Sequence, residues 1–421
     1  MTISFSNFAS SVTVETAFTV LAIAKRLIAG GKDVIELEIG DSPFPTPQVI
    51  VDAGVQAIQA GNTHYGPSLG LTEFRAAAAD YVSREYGLDV KTENVVAGPG
   101  AKNFEQLFCE AFLNPNDGVL VFSPHFPTYV PNIHRRGARA VLSSLKQASE
   151  FRPNLEEVEK FIREDPSPRA IFLNSPHNPT GGITLQEDLE GLAELIRGTE
   201  VVVLSDEPYD RMAWNGQHHS LAAIPDMLQR TVAAYTFSKS FSMSGWRLGF
   251  AVSSPPVIEM LGKLTNTTLS CVAPFTQLAG IVAMQHACGE RDRQMDEFRH
   301  KVVRLVERLN CVEGINCLVP GGSFYAFPSV APICNRLGIT SQGLAMYLLE
   351  GADEDLGVAC LGGESFGEAG AGFLRLSCAE PDERLAEAVA FMADAFGRTD
   401  RVENFLADRA EFRLTKPYDL D

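Results

Sequence analysis

Apolar positions recur along the chain in two rhythms, and the alternation between them sets the architecture to expect. Helical spacing of Val12, Val14, Ala17, Phe18, Val20, Leu21, Ala24, Leu27 and Ile28 predicts a first helix within residues 12–31, stopped by Gly30-Gly31. Val34 to Ile39 alternates as a short strand. The next stretch, Gly40-Asp41-Ser42-Pro43-Phe44-Pro45-Thr46-Pro47, is punctuated by three prolines and forms no regular structure. Helices are predicted over 48–59 and from 72 to about 86, with the loop 62–70 between them. A strand over 95–97 leads through Gly98-Pro99-Gly100-Ala101-Lys102-Asn103 into a helix ending at Phe112. Continuous apolar runs at 119–122, 170–173, 201–204 and 232–235 are then separated by helical patterns. Such runs describe a mostly parallel sheet buried on both faces.

Beyond Met284 the rhythm changes. A long amphipathic helix covers 290–309, and Ile315–Leu318 with Ser323–Phe327 reads as a hairpin around Pro320-Gly321-Gly322. Another helix starts at Ser341. It is followed by a strand at 358–361, a Gly-rich loop over 362–372, a strand at 373–377 and a final helix from Pro381 to Phe396. This part is a smaller α+β unit, and the acidic residues after 398 read as a peripheral tail. The domain organisation to expect is an N-terminal segment, 1–47, joined to the small unit; a large domain, 48–289; the small domain, 290–398; and the tail, 399–421.

Composition narrows the class without naming it. With 421 residues the chain exceeds one compact core, and 45% apolar against 21% charged residues is ordinary for a globular protein. No apolar run is long enough to span a bilayer, and the first residues lack a basic region followed by an apolar one, so neither a membrane partner nor a leader is expected. A formal charge of -18 disfavours nucleic acid as a partner. The eight cysteines show no CxxC pair and no Cys/His cluster, which predicts reduced thiols in a cytoplasm and no metal site.

In a parallel sheet, ligands bind beyond the carboxyl ends of the strands. Those ends carry Ser123-Pro124-His125-Phe126-Pro127-Thr128-Tyr129, Asn174 to Gly182, Ser205-Asp206-Glu207-Pro208-Tyr209 and Thr236 to Lys239. Four strands thus deliver an aromatic, an Asn, an Asp with a Tyr, and a Lys to one edge. The window from Thr236 to Gly249 holds Lys239 and Arg247 among small hydroxyl residues, aromatics and two glycines. Lysine and arginine in such a setting need a partner, and a desolvated lysine can serve as a Schiff-base nucleophile while an arginine holds an anion. The strand, turn and helix start around Gly100 make an anion site from free amides and the helix dipole, although Asn103 stands where a dinucleotide fingerprint has its third glycine. Each feature has a plainer reading: a turn at Asn178-Pro179-Thr180-Gly181, a helix cap at Asp206, a buried tyrosine at Tyr209, a solvent-facing strand residue at Arg375. His64, His125 and His177 are read as structural or solvated.

Taken in order, Gly-Ala-Lys after a strand, Pro-x-aromatic-Pro-x-Tyr, Asn-Pro-Thr-Gly, Ser-Asp-Glu-x-Tyr, the Lys239 to Arg247 window and Arg375-Leu376-Ser377 resemble a class I/II, fold-type I, pyridoxal-5'-phosphate-dependent aminotransferase from about Val34 to Phe396. The resemblance implies an α/β fold whose large domain has a mostly parallel, predominantly seven-stranded sheet flanked by helices. It also implies roles. Lys239 would bond the cofactor and carry the proton, Asp206 would pair with the pyridine nitrogen, and Tyr209 with Asn178 would bond the ring's phenolic oxygen. Phe126 would stack on the ring. Gly100, Ala101, Lys102, Thr236 and Arg247 would hold the phosphate, with Tyr65 reaching the site of a neighbouring subunit in a homodimer with shared active sites. Arg375, Gly40 and Asn178 would bind the substrate α-carboxylate. Lys102 sits where some relatives meet the distal carboxylate of a dicarboxylic substrate, which favours aspartate with 2-oxoglutarate among amino acid and 2-oxo acid substrates; a C–S β-lyase or a transaminase for alanine, aromatic or other amino acids is the alternative. Three departures from the family pattern stand out: Thr236 for Ser or Gly, Phe126 for Trp or Tyr, and Ser42-Pro43 for Pro-Asp.

Overall fold

A computed structural model describes residues 3–419 of the chain; Met1 and Thr2 of the N-terminal stretch, and Leu420 and Asp421 of the tail, lie outside the described residues. The apolar runs form strands because each offers alternate side chains to two different cores. Val119 and Val121 enter one apolar cluster and Leu120 and Phe122 another, so the strand that carries them is covered on both faces. Ala233 and Tyr235 likewise part from Val232 and Ala234.

In chain order the strands are β1 (Asp33–Glu36), β2 (Val95–Gly98), β3 (Gly118–Ser123), β4 (Arg139–Ser144), β5 (Pro168–Asn174), β6 (Val202–Asp206), β7 (Thr231–Thr236), β8 (Gly249–Val252), β9 (Tyr325–Ala326), β10 (Leu356–Ala359), β11 (Leu361–Gly362) and β12 (Leu374–Ser377). Seven of them make one sheet in the order β2-β8-β7-β6-β5-β3-β4. All neighbours run parallel except β8, which is antiparallel to both β2 and β7. This is the α/β architecture expected. Two of its strands escaped the pattern reading. β4 has exposed and half-buried positions at the sheet edge, and β8 follows directly on the Lys239–Arg247 window.

The parallel register places the functional edge. Asn174 lies beside Asp206, and Asp206 beside Ala234, so the carboxyl ends of β5, β6 and β7 finish close together. Because β2 is paired through antiparallel β8, its end at Gly98 reaches the same edge as Thr236, both facing Gly249. The helix Lys102–Phe112 therefore starts at that edge.

A second core joins Ile35 and Leu37 from the N-terminal region to Phe298, Leu305, Phe324, Leu374, Leu376 and Leu385. Two expectations are corrected here. The hairpin of 315–318 with 323–327 does not form: that region contributes one bridge, Asn316 to Ser329, and Tyr325–Ala326 pairs with β12 instead, because Phe324 and Tyr325 are buried in this core. Residues 399–418 are not peripheral. They form the helix Thr399–Asp408, whose Val402 and Leu406 sit in the second core, and Tyr418 donates from its hydroxyl to Glu364 at 2.6 Å. Net acidity concealed an amphipathic helix. Among the described residues no helix is long and apolar enough to cross a membrane.

Leu406 is 0% exposed, so Leu406→Ala removes a core side chain and is expected to cost about 2–5 kcal/mol. Urea denaturation measures it, and a loss below about 0.5 kcal/mol, the size of a surface substitution, would show the segment undocked.

Candidate active site

Beyond the strand ends lies a cavity of about 540 Å³, lined by Lys239, Asp206, Tyr209, Asn178, Phe126, Gly40, Ala101, Lys102, Thr236, Arg247 and Arg375. These residues come from strand ends, loops and a helix start as far apart in the chain as 40 and 375, and they meet beyond the sheet edge. Of the sequence candidates, Gly100 stands just behind the wall and Tyr65 stands outside it, 90% exposed.

The lysine loop is fixed from below by the N-terminal loop. Lys239 Nζ donates to the Gly40 carbonyl at 2.5 Å, and Ser42 shares a hydroxyl hydrogen bond of 2.7 Å with Ser242. Thr46 donates to the Ser242 carbonyl at 2.6 Å, and Ser244 donates to Asp41 at 3.0 Å. Ser42 thus replaces whatever the more usual Pro would contribute with a direct tie to the loop of Lys239. Gly40 must be glycine, since an added Cβ would fall 1.7 Å from the Tyr325 hydroxyl.

At one end of the cavity hydroxyls and amides converge. Thr236 and Ser238 hydroxyls are 2.9 Å apart, and the helix starting at Lys102, which has no side-chain cap, leaves N-terminal amides free at the same sheet edge. Arg247 is held open for an anion by carbonyls alone, donating to Ser244 and Pro99 at 2.9 Å each. Gly100 has φ +89°, and a Cβ there would meet Arg247 Nη2 at 2.8 Å. The turn therefore requires glycine for both its backbone and its space.

The middle of the cavity is framed by Phe126 and by Asp206, which is 6% exposed. Tyr129 donates to Asp206 Oδ2 at 2.5 Å, and Asn174 donates to the Asp206 carbonyl at 2.8 Å. Burial pushes the Asp206 carboxyl above its ordinary range. Burial likewise raises Glu105, also on the cavity wall, with the nearby Asp206 charge adding to it; Thr128 and Asn132 donate to its carboxylate. Two neighbouring buried carboxyls resist ionising together.

At the far end, Arg375 is 4% exposed, with its guanidinium 4.4 Å from the Tyr325 ring centroid and 5.0 Å from that of Phe366. It donates to Asn178 Oδ1 at 3.1 Å and to the Glu38 carbonyl, while its Nε has no partner among the described residues. The Tyr209 and Tyr325 hydroxyls lie 3.1 Å apart, and Asn178 donates to Tyr209 at 3.4 Å. Arg375 is thus a buried strand residue rather than a solvent-facing one. His177 and His125 sit at the margin as structural groups. Burial drives the His177 imidazole down to about 3 and lowers His125.

Ser238, Tyr129, Glu105, Tyr325, Glu15 and Phe18 were not singled out in the sequence. Ser238 and Tyr129 had a signal there: one alternates with Thr236, and the other ends the Pro-x-aromatic-Pro-x-Tyr stretch. Glu15 and Phe18, read only as part of an amphipathic helix, reach the cavity from the start of the helix Thr16–Ala29, and Glu15 forms an ion pair with Lys102.

The donor set suits pyridoxal phosphate: an anion cradle that a Cβ at Gly100 would fill, a buried carboxyl and an aromatic wall in the middle, and a buried arginine with an unpartnered Nε beyond. Comparison with known proteins agrees in kind. The sequence profile described as aminotransferase class I and II matches residues 32–391. An aspartate aminotransferase of Pyrococcus abyssi is 33% identical over 91% of this chain and 94% of its own. An arginine–pyruvate transaminase of Pseudomonas aeruginosa is 33% identical over 85% of this chain and 88% of its own. The structure of Thermus thermophilus aspartate aminotransferase with maleate superposes with a TM-score of 0.87 at 28% identity, covering 94% of this chain and all of the other.

Glu38 supplies a pH dependence that can be measured. It is 0% exposed, neither carboxyl oxygen has a partner among the described residues, and its pKa is raised to about 7 by burial and by Glu36 against the pull of Lys25 and Arg375. An acid that binds its proton more tightly when folded costs stability as pH climbs from its unfolded value to its folded one. Glu38→Gln is therefore expected to gain on the wild type by up to roughly 3 kcal/mol between about pH 4.5 and pH 7 and no further above it. Denaturation of both proteins at several pH values checks this, and parallel curves would refute it.

Proposed function

The chain belongs to the family of class I and II aminotransferases, which use pyridoxal phosphate, and from that premise we propose that it holds this cofactor beside Lys239 and moves an amino group between L-aspartate and 2-oxoglutarate by a ping-pong mechanism. The observation that carries the reading is the one cavity where Asp206 from the end of β6, Lys239 and Arg247 from the connection between β7 and β8, and Arg375 from β12 converge. When bound, pyridoxal phosphate supplies an aldehyde that accepts the amino group and a pyridinium ring that draws electrons from the substrate's α-carbon.

The chain's residues then divide the work. Asp206, made more basic by burial and oriented by Tyr129, holds a proton at the pyridine nitrogen. Tyr209 and Asn178 bond the ring's phenolic oxygen, and Phe126 covers the ring face. Thr236, Ser238, Arg247 and the amides of Gly100, Ala101 and Lys102 hold the phosphate, the arginine fork matching its oxygens. Arg375, with Asn178 and the Gly40 backbone, orients the α-carboxylate of the substrate. Lys239 Nζ, close to Gly40, takes the proton that leaves the α-carbon. Lys102, a cation on the cavity wall, would meet the distal carboxylate, which supports a dicarboxylic substrate.

The chain acts as a homodimer with shared active sites in this reading, Tyr65 serving the neighbouring site; its 90% exposure outside its own cavity supports that role. Its eight free thiols support a reducing, cytoplasmic setting.

With L-aspartate and 2-oxoglutarate the holoenzyme is expected to form oxaloacetate and glutamate in equal amounts; pyruvate and ammonia from a cystathionine-type substrate instead would replace the reading with a β-lyase. Arg375→Ala removes a charge-assisted bond of about 3 kcal/mol and is expected to lower kcat/KM on the order of 100-fold. Unchanged kcat/KM in that variant would remove Arg375 from the site.

A further inference from the structure

Four cations line the cavity: Lys102, Lys239, Arg247 and Arg375. Three are held by neutral oxygens. Lys239 donates to the Gly40 carbonyl, Arg247 to the carbonyls of Ser244 and Pro99, and Arg375 to the Asn178 side chain and the Glu38 carbonyl. Their charges remain for a ligand. Among the described residues Lys102 alone of the four is in an ion pair, with Glu15.

Glu15 is not a distant surface partner. It is the residue before the helix Thr16–Ala29 and lines the cavity itself, with only 19% of its side chain exposed, while Lys102 Nζ lies 5.1 Å from the centroid of the Phe126 ring. A carboxylate of the protein therefore stands on the cation that a substrate's distal carboxylate would use. The stretch that brings it there is lightly held. The helix Asn7–Ser11 buries no residue, Val12 and Val14 are exposed, and a hollow of about 770 Å³ separates residues 8–18 from Pro99, Gln106 and Pro131. Besides the Glu15 pair, this stretch is tied by Arg135, 5.0 Å over the ring of Phe8.

We propose that Glu15 is a specificity-determining residue: its carboxylate occupies the Lys102 subsite, so a dicarboxylic substrate must displace it whereas a monocarboxylic amino acid binds with the pair intact. Glu15 thereby narrows the advantage of dicarboxylic over monocarboxylic donors. Lys102 gains an anion in either state, and the substrate contributes only the difference between its own carboxylate and that of Glu15. The exchange is small because the Lys102 side of the pair is 44% exposed. This proposal rests on the transaminase reading of the same cavity.

The test uses the half-reaction, in which holoenzyme is mixed with L-aspartate or L-alanine alone and the cofactor's absorbance is followed, giving an apparent Kd for each donor. In Glu15→Gln and in Glu15→Ala the ratio of aspartate to alanine affinity is expected to rise about two- to fivefold over the wild type, the worth of a partly exposed ion pair. In Lys102→Ala the ratio is expected to fall. A ratio unchanged or lowered in both Glu15 variants would overturn the proposal while leaving the transaminase intact, as would an unchanged ratio in Lys102→Ala. Absence of any half-reaction in the wild type with either donor would instead remove the transaminase reading, and the proposal with it.

Discussion

Charges buried without an opposite charge are the constraint on which the site depends. Arg375 and Asp206 are 4% and 6% exposed, yet the guanidinium of one is bonded to an amide oxygen and a carbonyl and the carboxylate of the other to a tyrosine hydroxyl. Removing a charge from water is expensive unless it is paired, and neutral hydrogen bonds offset only part of the cost. The protein tolerates this because the surrounding fold is over-determined: two cores and a seven-stranded sheet hold the loops in place. A ligand that brings a phosphate, a ring nitrogen and a carboxylate answers all of these charges together. Binding and chemistry then draw on the same stored electrostatic imbalance, which is preorganised rather than assembled during the reaction.

The sheet's role is to make that imbalance a matter of register rather than of chance. A parallel pairing sets Asn174 beside Asp206, and the Asn174 amide, donating to the Asp206 carbonyl at 2.8 Å, locks the two strand ends together. Antiparallel β8 starts at the same edge two residues after Arg247, and its Gly249 brings Gly98 level with Thr236. The N-terminal loop completes the enclosure. Its hydroxyls at Ser42 and Thr46 bond to Ser242, so the loop holding Lys239 and the loop holding Gly40 are tied to each other.

Much of this was legible in the sequence, for identifiable reasons. The buried strands announced themselves by continuous apolar runs, and the helices Gln48–Gln59, Thr72–Tyr86 and Lys102–Phe112 matched their periodicity and breakers. The cavity residues could be ordered because strand ends are where side chains of α/β proteins meet ligands. What escaped was set by tertiary contact. β4 lies at an edge with mixed burial, so its pattern is weak. Tyr325 pairs with β12 rather than with 315–318 because its strand partner is chosen by the second core. The helix Thr399–Asp408 was hidden by charge on its outer face. Glu15 could not be found at all: nothing local to residue 15 says that Lys102 will stand opposite it.

The central claim is that Lys239 is the residue that holds the cofactor. Loading the protein with pyridoxal phosphate, reducing with borohydride and mapping the modified peptide by mass spectrometry tests it most directly. The account predicts one phosphopyridoxyl group per chain, on Lys239, and none in Lys239→Ala. A label on Lys102 or another lysine, or a label that survives Lys239→Ala, would contradict it.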